Sequence, residues 1–450
     1  MSLLKISIAG VRGVVGEALT PELLIRFAQA MGTYANGKIA VCRDTRPSGE
    51  MALSAVLSGL IASGCQVIDL GICPTPSMQL YVGEKGFSGG IAVTAGHNPE
   101  EWNALKFVRP DGMYFNALQG QELLDVYHQG EFNKARWDQL PPVVCDGTAV
   151  DGHIARIVEQ VDVKAIRARR FKIALDCCNG GCSLASPRLL EQLGCEVFVI
   201  NNDLTERLPH DPDPSSGNLS QLKALLKAAG ADIGFGHDTD GERLGIVTEK
   251  GEPLHQEKTL GLLARVLLER RPGIVVTNFS TSRMVEDLAR RFGGSVVRTP
   301  VGQAFIAGKV KELDATVGGE GSGGVVVPFV QYTNDSLAVI AVLLEYLACR
   351  RRSISELDSE LPRYVMKKQD ILLEPYQIFS TLQNLRAQWE EREEAVDFTD
   401  GIKWEWPDGW LHVRASNTES LIRVIAEARD ESRATELLDG ALAQLGSVAG

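Results

Sequence analysis

Residues 172–199 read KIALDCCNGGCSLASPRLLEQLGCEVFV. The short apolar run at Lys172–Leu175 suits a buried strand, and the Gly/Ser-rich stretch after it suits a loop. PRLLEQL then carries apolar residues at helical spacing, Gly194 suits a left-handed helix cap, and Cys195–Val199 opens a second strand. Strand, loop, helix, glycine, strand is a βαβ unit. The same order occurs twice more. Lys38-Ile39-Ala40-Val41 leads through a polar loop and a helical pattern to Gly64-Cys65-Gln66-Val67-Ile68. Gly273-Ile274-Val275-Val276 leads through Ser280-Thr281-Ser282 and the helical run RMVEDLARRF to Gly293-Gly294-Ser295-Val296-Val297. The chain therefore repeats one α/β unit three times.

A chain of 450 residues is too long for one core. The repeats predict domains at about 1–150, 151–252 and 253–365. The remainder, 366–450, differs in kind: helical patterns near 374–392 and 430–445 flank alternating runs at Trp404-Glu405-Trp406 and Leu421-Ile422-Arg423-Val424. That is an α+β pattern and a fourth domain.

The formal net charge of −12 argues against nucleic acid as a general partner. It leaves local phosphate sites open, because arginines and backbone N–H groups can bind an anion within an acidic protein. Nine scattered cysteines fit a reducing compartment better than a disulfide framework. Cys177, Cys178 and Cys182 lack the spacing and the histidine of a zinc set. With no signal-like N-terminus and no long apolar run, the expectation is a cytoplasmic protein without a membrane span.

Four stretches carry chemistry. In SGGIAVTAGHNPEEWNALKF (88–107), a short apolar run stops at a sharp Gly/Asn/Pro loop holding Gly96, His97 and Asn98, with Lys106 beyond. In ADIGFGHDTDGERLGI (231–246), Asp238, Asp240 and Glu242 alternate in a tight turn between apolar runs, a spacing from which carboxylates can converge on a hard divalent cation, and Arg243 follows. Glu320 and Ser322 lie in the glycine-dense turn 317–324, where backbone can approach a ligand closely. Arg414, Ser416, Asn417 and Thr418, with Arg423, make an anion cradle.

Together these stretches resemble the α-D-phosphohexomutases, the phosphoglucomutase/phosphomannomutase family. TAGHNP followed by Asn103-Ala104-Leu105-Lys106 is similar to that family's T-(A/G)-S-H-N-P…N-(G/A)-x-K active-site loop. Gly10-Val11-Arg12-Gly13 resembles its N-terminal G-x-R-G loop, and Arg43-Asp44-Thr45-Arg46 its R-D-x-R loop. The 238–243 segment resembles its D-G-D-x-D-R metal loop, with Glu242 as the third ligand. Residues 319–323 resemble its sugar loop, Thr299–Gly302 its T-x-V-G loop, and 414–423 its phosphate loop. The resemblance implies three related βαβ-type domains and a smaller α+β C-terminal domain around a cleft. It implies Mg²⁺-dependent interconversion of hexose 1- and 6-phosphates (glucose and/or mannose) through a hexose 1,6-bisphosphate. It assigns catalysis to the position of Gly96 with His97, Lys106 and Arg12, and metal binding to Asp238, Asp240 and Glu242. Substrate contacts fall to Arg243, Thr299, Gly302, Glu320, Ser322, Arg414, Ser416, Asn417, Thr418 and Arg423. The implied partners are phosphosugars, with no nucleic acid and no membrane, for a monomer or homodimer.

Two positions depart from that pattern. Gly96 stands where the family has the serine that carries the phosphoryl group, and glycine has no nucleophile. Gly324 stands where some members have a histidine, which removes an acid/base at that point. The departures leave four readings of Gly96: a trapping substitution, another acceptor such as Thr94 or His97, a bisphosphate exchanging without a covalent step, or a chain that only binds or hydrolyses sugar phosphates.

Overall fold

The computed structural model describes residues 4–7, 10–390, 396–416 and 420–448. Among the described residues there are four sheets. The first has the order Leu4–Ser7, Gly10–Val14, Trp102–Val108, Gly89–Val93, Lys38–Arg43, Gln66–Ile72, Val144–Cys145. The second runs Leu244–Thr248, Ile233–His237, Lys172–Asp176, Glu196–Ile200, and the third Val325–Val326, Val317–Gly319, Ile274–Asn278, Ser295–Thr299.

One plan underlies all three. A central strand pairs in parallel with a strand on either side, and one of those flanking strands turns back into an antiparallel neighbour. In the first sheet that reversal is the loop between Val93 and Trp102. In the second it is the loop between His237 and Leu244, and in the third the loop between Gly319 and Val325. The three stretches singled out for chemistry in these sheets thus occupy one topological position, repeated. Strands buried on both faces explain the apolar runs before each loop: Gly89–Val93, Ile233–His237 and Val317–Gly319 are buried throughout.

The expected glycine caps occur, with Gly64, Gly194 and Gly293 at φ 85°, 76° and 71°. Thr20 caps the helix Pro21–Ala35, its side chain accepting the Leu23 N–H. The fourth sheet is wholly antiparallel, Val365–Leu372, Leu421–Ala428, Gly409–Ala415, Ile402–Trp406, Val396–Asp397, and the helices Pro375–Glu390 and Glu431–Val448 pack with it.

One core runs from one face of the first sheet through the second and third sheets and their helices, and includes most of the helix Ser336–Arg350, which is apolar around nearly its whole circumference. Among the described residues no helix is long and apolar enough to cross a membrane. The expected Arg12 loop is instead a strand: Arg12 sits within Gly10–Val14, opposite Ala104. The backbones there approach closely, since a Cβ on Gly10 would fall 2.1 Å from the Leu105 carbonyl oxygen.

Candidate active site

The loop after Val93 is held from below by a buried ion pair. The Arg46 guanidinium, 1% exposed, donates from Nε to Asp44 Oδ2 at 3.0 Å. It also donates to the carbonyls of Gly96 (2.7 Å), Asn98 (2.6 Å), Pro99 (2.5 Å) and Trp102 (3.1 Å). Arginine carries five donors in a planar fork, and here nearly all of them fix one turn. Asp44 also accepts the Thr94 hydroxyl at 2.6 Å, and that hydroxyl accepts the Gly96 N–H at 3.0 Å. From the second sheet, the Thr239 hydroxyl lies 2.8 Å from the Gly96 carbonyl oxygen. The sequence resemblance reached Asp44 and Arg46 as a motif but gave no hint that Arg46 organises the loop.

At the tip, Gly96 takes φ +55°, and a Cβ there would lie 3.2 Å from Asp240 Oδ1 and 3.3 Å from Oδ2. A side chain at 96 would therefore point at the carboxylate loop. Around this point stand four cations. Lys106 Nζ is 2.5 Å from Asp240 Oδ2 and 2.8 Å from Glu242 Oε2. Arg12 donates to Asn98 Oδ1 at 3.2 Å, Arg243 Nη2 lies 3.1 Å from His97 Nε2, and Arg46 sits beneath. Burial, then the charges of Arg243, Arg12, Lys106 and Arg46, hold the His97 imidazole well below its ordinary pKa. Burial alone would lower the Lys106 pKa, but Asp240 and Glu242 outweigh it and hold the ammonium above its ordinary value.

In the acidic loop, Asp238 Oδ1 accepts the N–H groups of Glu242 (3.0 Å) and Arg243 (3.1 Å). Asp238 and Asp240 are each 1% exposed. Burial first, then Asp240 and Glu242, pushes the Asp238 carboxyl well above the usual carboxylate range. Asp240 Oδ1 is buried with no hydrogen-bond partner. Buried all-oxygen donors that repel one another, one of them unpartnered, fit a hard divalent cation. Glu242 does not complete a third corner in this arrangement. Its Oε1 accepts the Tyr114 hydroxyl and its Oε2 faces Lys106, and no three His, Cys, Asp or Glu side chains converge as a metal set among the described residues. The extra methylene of Glu over Asp carries the carboxylate past the turn to those partners.

The glycine-rich loop is tied to the acidic loop: Gly323 accepts the Leu244 N–H at 3.1 Å, and Arg243 and Gly324 form an antiparallel bridge. Glu320 Oε1 accepts from Asn278 Nδ2 at 3.0 Å, while Ser322 remains half-buried. Gly324 has a local cause, since a Cβ there would fall 2.3 Å from Asn334 Nδ2. Thr299 is not turned to a cleft: it is 4% exposed and its hydroxyl donates to the Pro300 carbonyl at 3.0 Å. Gly302, at φ +143°, caps the helix Gln303–Glu312, and the neighbouring Val301 N–H donates to Asp400 Oδ2 of the fourth domain at 2.8 Å.

In the fourth domain Arg414 and Arg423 are directly opposite on adjacent antiparallel strands. Like charges in that position destabilise a sheet unless an anion joins them. Arg423 is paired with Asp370 at 2.8 and 2.9 Å. Arg414 is 4% exposed, with a buried Nη2 that has no hydrogen-bond partner. The Ser416 N–H donates to the Leu421 carbonyl at 2.9 Å. Asn417 and Thr418 lie outside the described residues. Ser420 Oγ accepts from Lys5 Nζ of the first domain at 3.4 Å.

Residues 4–134, 151–251, 255–364 and 379–444 match, in order, phosphoglucomutase/phosphomannomutase alpha/beta/alpha domains I, II and III and the C-terminal domain. The chain belongs to the phosphoglucomutase/phosphomannomutase family. Its relatives include a probable phosphoglucosamine mutase of Methanopyrus kandleri, 37% identical over 434 residues, covering 96% of this chain and 95% of that protein. A phosphoglucomutase/phosphomannomutase of Thermococcus kodakarensis is 36% identical over 440 residues, covering 96% of each chain. Among solved structures, a phosphoglucomutase/phosphomannomutase family protein of Burkholderia thailandensis superposes with a TM-score of 0.86 at 28% identity, covering 98% of this chain and 97% of that one. The family is one of mutases.

Proposed function

We propose that this phosphohexomutase-family enzyme interconverts a hexose 1-phosphate and the corresponding hexose 6-phosphate through a hexose 1,6-bisphosphate. Glucose and mannose phosphates are the expected substrates from the sequence motifs. The relatives named phosphoglucosamine mutase add glucosamine phosphate to the candidates.

The observation that carries this reading is the aim of residue 96. The position reserved for a phosphoryl carrier points at Asp240 within a ring of Arg12, Lys106, Arg243 and His97. Phosphoryl transfer needs positioning and positive charge around a loose transition state, and the ring provides both. Lys106, held protonated by its carboxylates, can neutralise charge on the oxygen that leaves or attacks. Arg12 and Arg243 orient the transferring group. Arg414, whose buried Nη2 lacks a partner, and Arg423 hold the distal phosphate, and Glu320 and Ser322 face the ring hydroxyls. Mg²⁺, for which Asp238 and Asp240 supply donors and to which Glu242 could turn from Lys106, would supply Lewis-acid charge at the phosphoryl oxygens.

A second reading has one observation in its favour: with Gly96 the chain would bind sugar phosphates, or hydrolyse them, without isomerising them. Phosphorus NMR of the protein with Mg²⁺, a trace of 1,6-bisphosphate and glucose, mannose or glucosamine 1-phosphate separates the two. The mutase reading expects 6-phosphate signals to grow. Appearance of inorganic phosphate alone, or no change with any sugar, overturns it.

A further inference from the structure

Building on the mutase reading, we infer that Nε2 of His97 is the phosphoryl acceptor that replaces the absent serine hydroxyl. Near the tip of the loop, Thr94, Thr239, Asp240 and His97 carry atoms that could attack phosphorus; the Thr239 hydroxyl, 0% exposed, is held between the Gly96 carbonyl (2.8 Å) and Asp44 (3.0 Å). Thr94 is 1% exposed, and its hydroxyl is committed on both sides, donating to Asp44 and accepting the Gly96 N–H. Freeing it would dismantle the turn that Arg46 holds. Asp240 is also 1% exposed, with Oδ2 against Lys106, and its remaining oxygen belongs to the donor set that suits a cation.

His97 differs in each respect. It is the residue next to Gly96, it is half-buried rather than sealed, and its nucleophilic nitrogen is engaged by Arg243, a phosphate-binding cation, rather than by a group that holds the turn. Its tautomer is fixed by geometry. A guanidinium only donates, so Nε2, 3.1 Å from Arg243 Nη2, carries the lone pair, and the ring proton is on Nδ1. Arg243 is in turn anchored by Asp213 at 3.0 Å, and Arg12 reaches the adjacent Asn98. A phosphoryl group on Nε2 would enter between two guanidiniums, with Arg243 moving from the nitrogen to the phosphoryl oxygens. Burial, and then the cations that surround the ring, keep it neutral, the form that attacks.

The step balances without an outside reagent. The Nε2 lone pair forms the N–P bond while the P–O bond to the sugar breaks, its electrons passing to the sugar oxygen. That oxygen takes up one proton, and the phosphorylated ring sheds the proton of Nδ1, so the products are a neutral sugar hydroxyl and a phosphoimidazole. Reversal on the other hydroxyl of the sugar returns the free histidine.

The test incubates the full chain with Mg²⁺ and glucose 1,6-bisphosphate labelled in its phosphates, then measures the chemistry of any protein-bound label and the turnover of glucose 1-phosphate side by side. The inference expects label that is lost in acid, survives alkali and maps to residue 97. It expects loss of that label in His97→Gln, with the double variant His97→Gln/Gly96→Ser showing acid-stable label that proves the site intact. Acid-stable label on Thr94 in the unaltered chain overturns it, as does label lost in both acid and alkali, the mark of an acyl phosphate on Asp240. Turnover without any protein-bound label overturns it while leaving the mutase reading standing. Neither label nor turnover removes both.

Discussion

An ideal Cβ on Gly96 lies 3.2 Å from Asp240 Oδ1, so the first domain's loop tip and the second domain's acidic loop meet at van der Waals range with no side chain between them. The contact is tight for a methyl, and φ +55° is a left-handed conformation that side chains disfavour. Gly96→Ala is therefore expected to destabilise the protein by about 1–2 kcal/mol, read from urea unfolding. A more stable alanine variant would show that the turn is not held as described.

Arg46 organises the loop from beneath. Its replacement by Met leaves Asp44, 0% exposed, as a buried carboxylate without its cation, and strips four carbonyls of a donor. Breaking a buried pair in this way costs about 3–5 kcal/mol. We expect a fall of that order in denaturant unfolding, together with loss of turnover. A variant of near-native stability would contradict the assignment.

The acidic loop sets a metal-dependent outcome. Asp238 Oδ1 accepts two backbone N–H groups, which an asparagine oxygen can also do. Asp238→Asn should therefore fold, and without Mg²⁺ it should be no less stable, because a like charge near Asp240 is gone. Mg²⁺ at about a hundred times its dissociation constant should stabilise the unaltered protein by about 2.7 kcal/mol and the variant far less. An equal thermal shift in both proteins would remove Asp238 from the donor set.

His412 makes a pH prediction at the junction of the third and fourth domains. It is 0% exposed, its Nδ1 lies 3.0 Å from Ser280 Oγ and its Nε2 2.6 Å from the Asp400 carbonyl oxygen. Burial lowers its pKa to about 4 against an ordinary 6.5. The unfolded chain therefore takes up a proton as pH falls through 6.5, while the folded chain resists until about 4. Stability should decline across that window, by up to about 3 kcal/mol from this residue. His412→Gln should flatten the decline in thermal melts taken between pH 7 and 4. An unchanged pH profile in that variant would place the titration elsewhere.

The repeat was legible because each βαβ unit writes strand, helix and glycine cap in local patterns. The common position of the three loops was not, because it depends on a third parallel strand and an antiparallel return that pair at long range. Asp238, Asp240 and His97 announced themselves as chemical residues in short motifs. The carbonyl clamp of Arg46 did not, since its partners lie some fifty residues away in sequence. Flanking glycines make Arg12 look like a loop residue, yet pairing on both sides makes it a strand. Thr299 matches a short T-x-V-G motif by residue type, and the fold turns its hydroxyl inward. Alternation in sequence makes Glu242 look like a third ligand, whereas its reach to Tyr114 and Lys106 is a tertiary matter.

The central claim is that the cleft still catalyses isomerisation despite glycine at position 96. The most direct measurement is the initial rate of glucose 1-phosphate conversion to glucose 6-phosphate, with Mg²⁺ and 1,6-bisphosphate, for the chain as it stands beside Gly96→Ser. Bisphosphate-stimulated turnover by both proteins is expected. Turnover confined to the serine variant would contradict it, and would leave the present chain a sugar-phosphate binder built on a mutase scaffold.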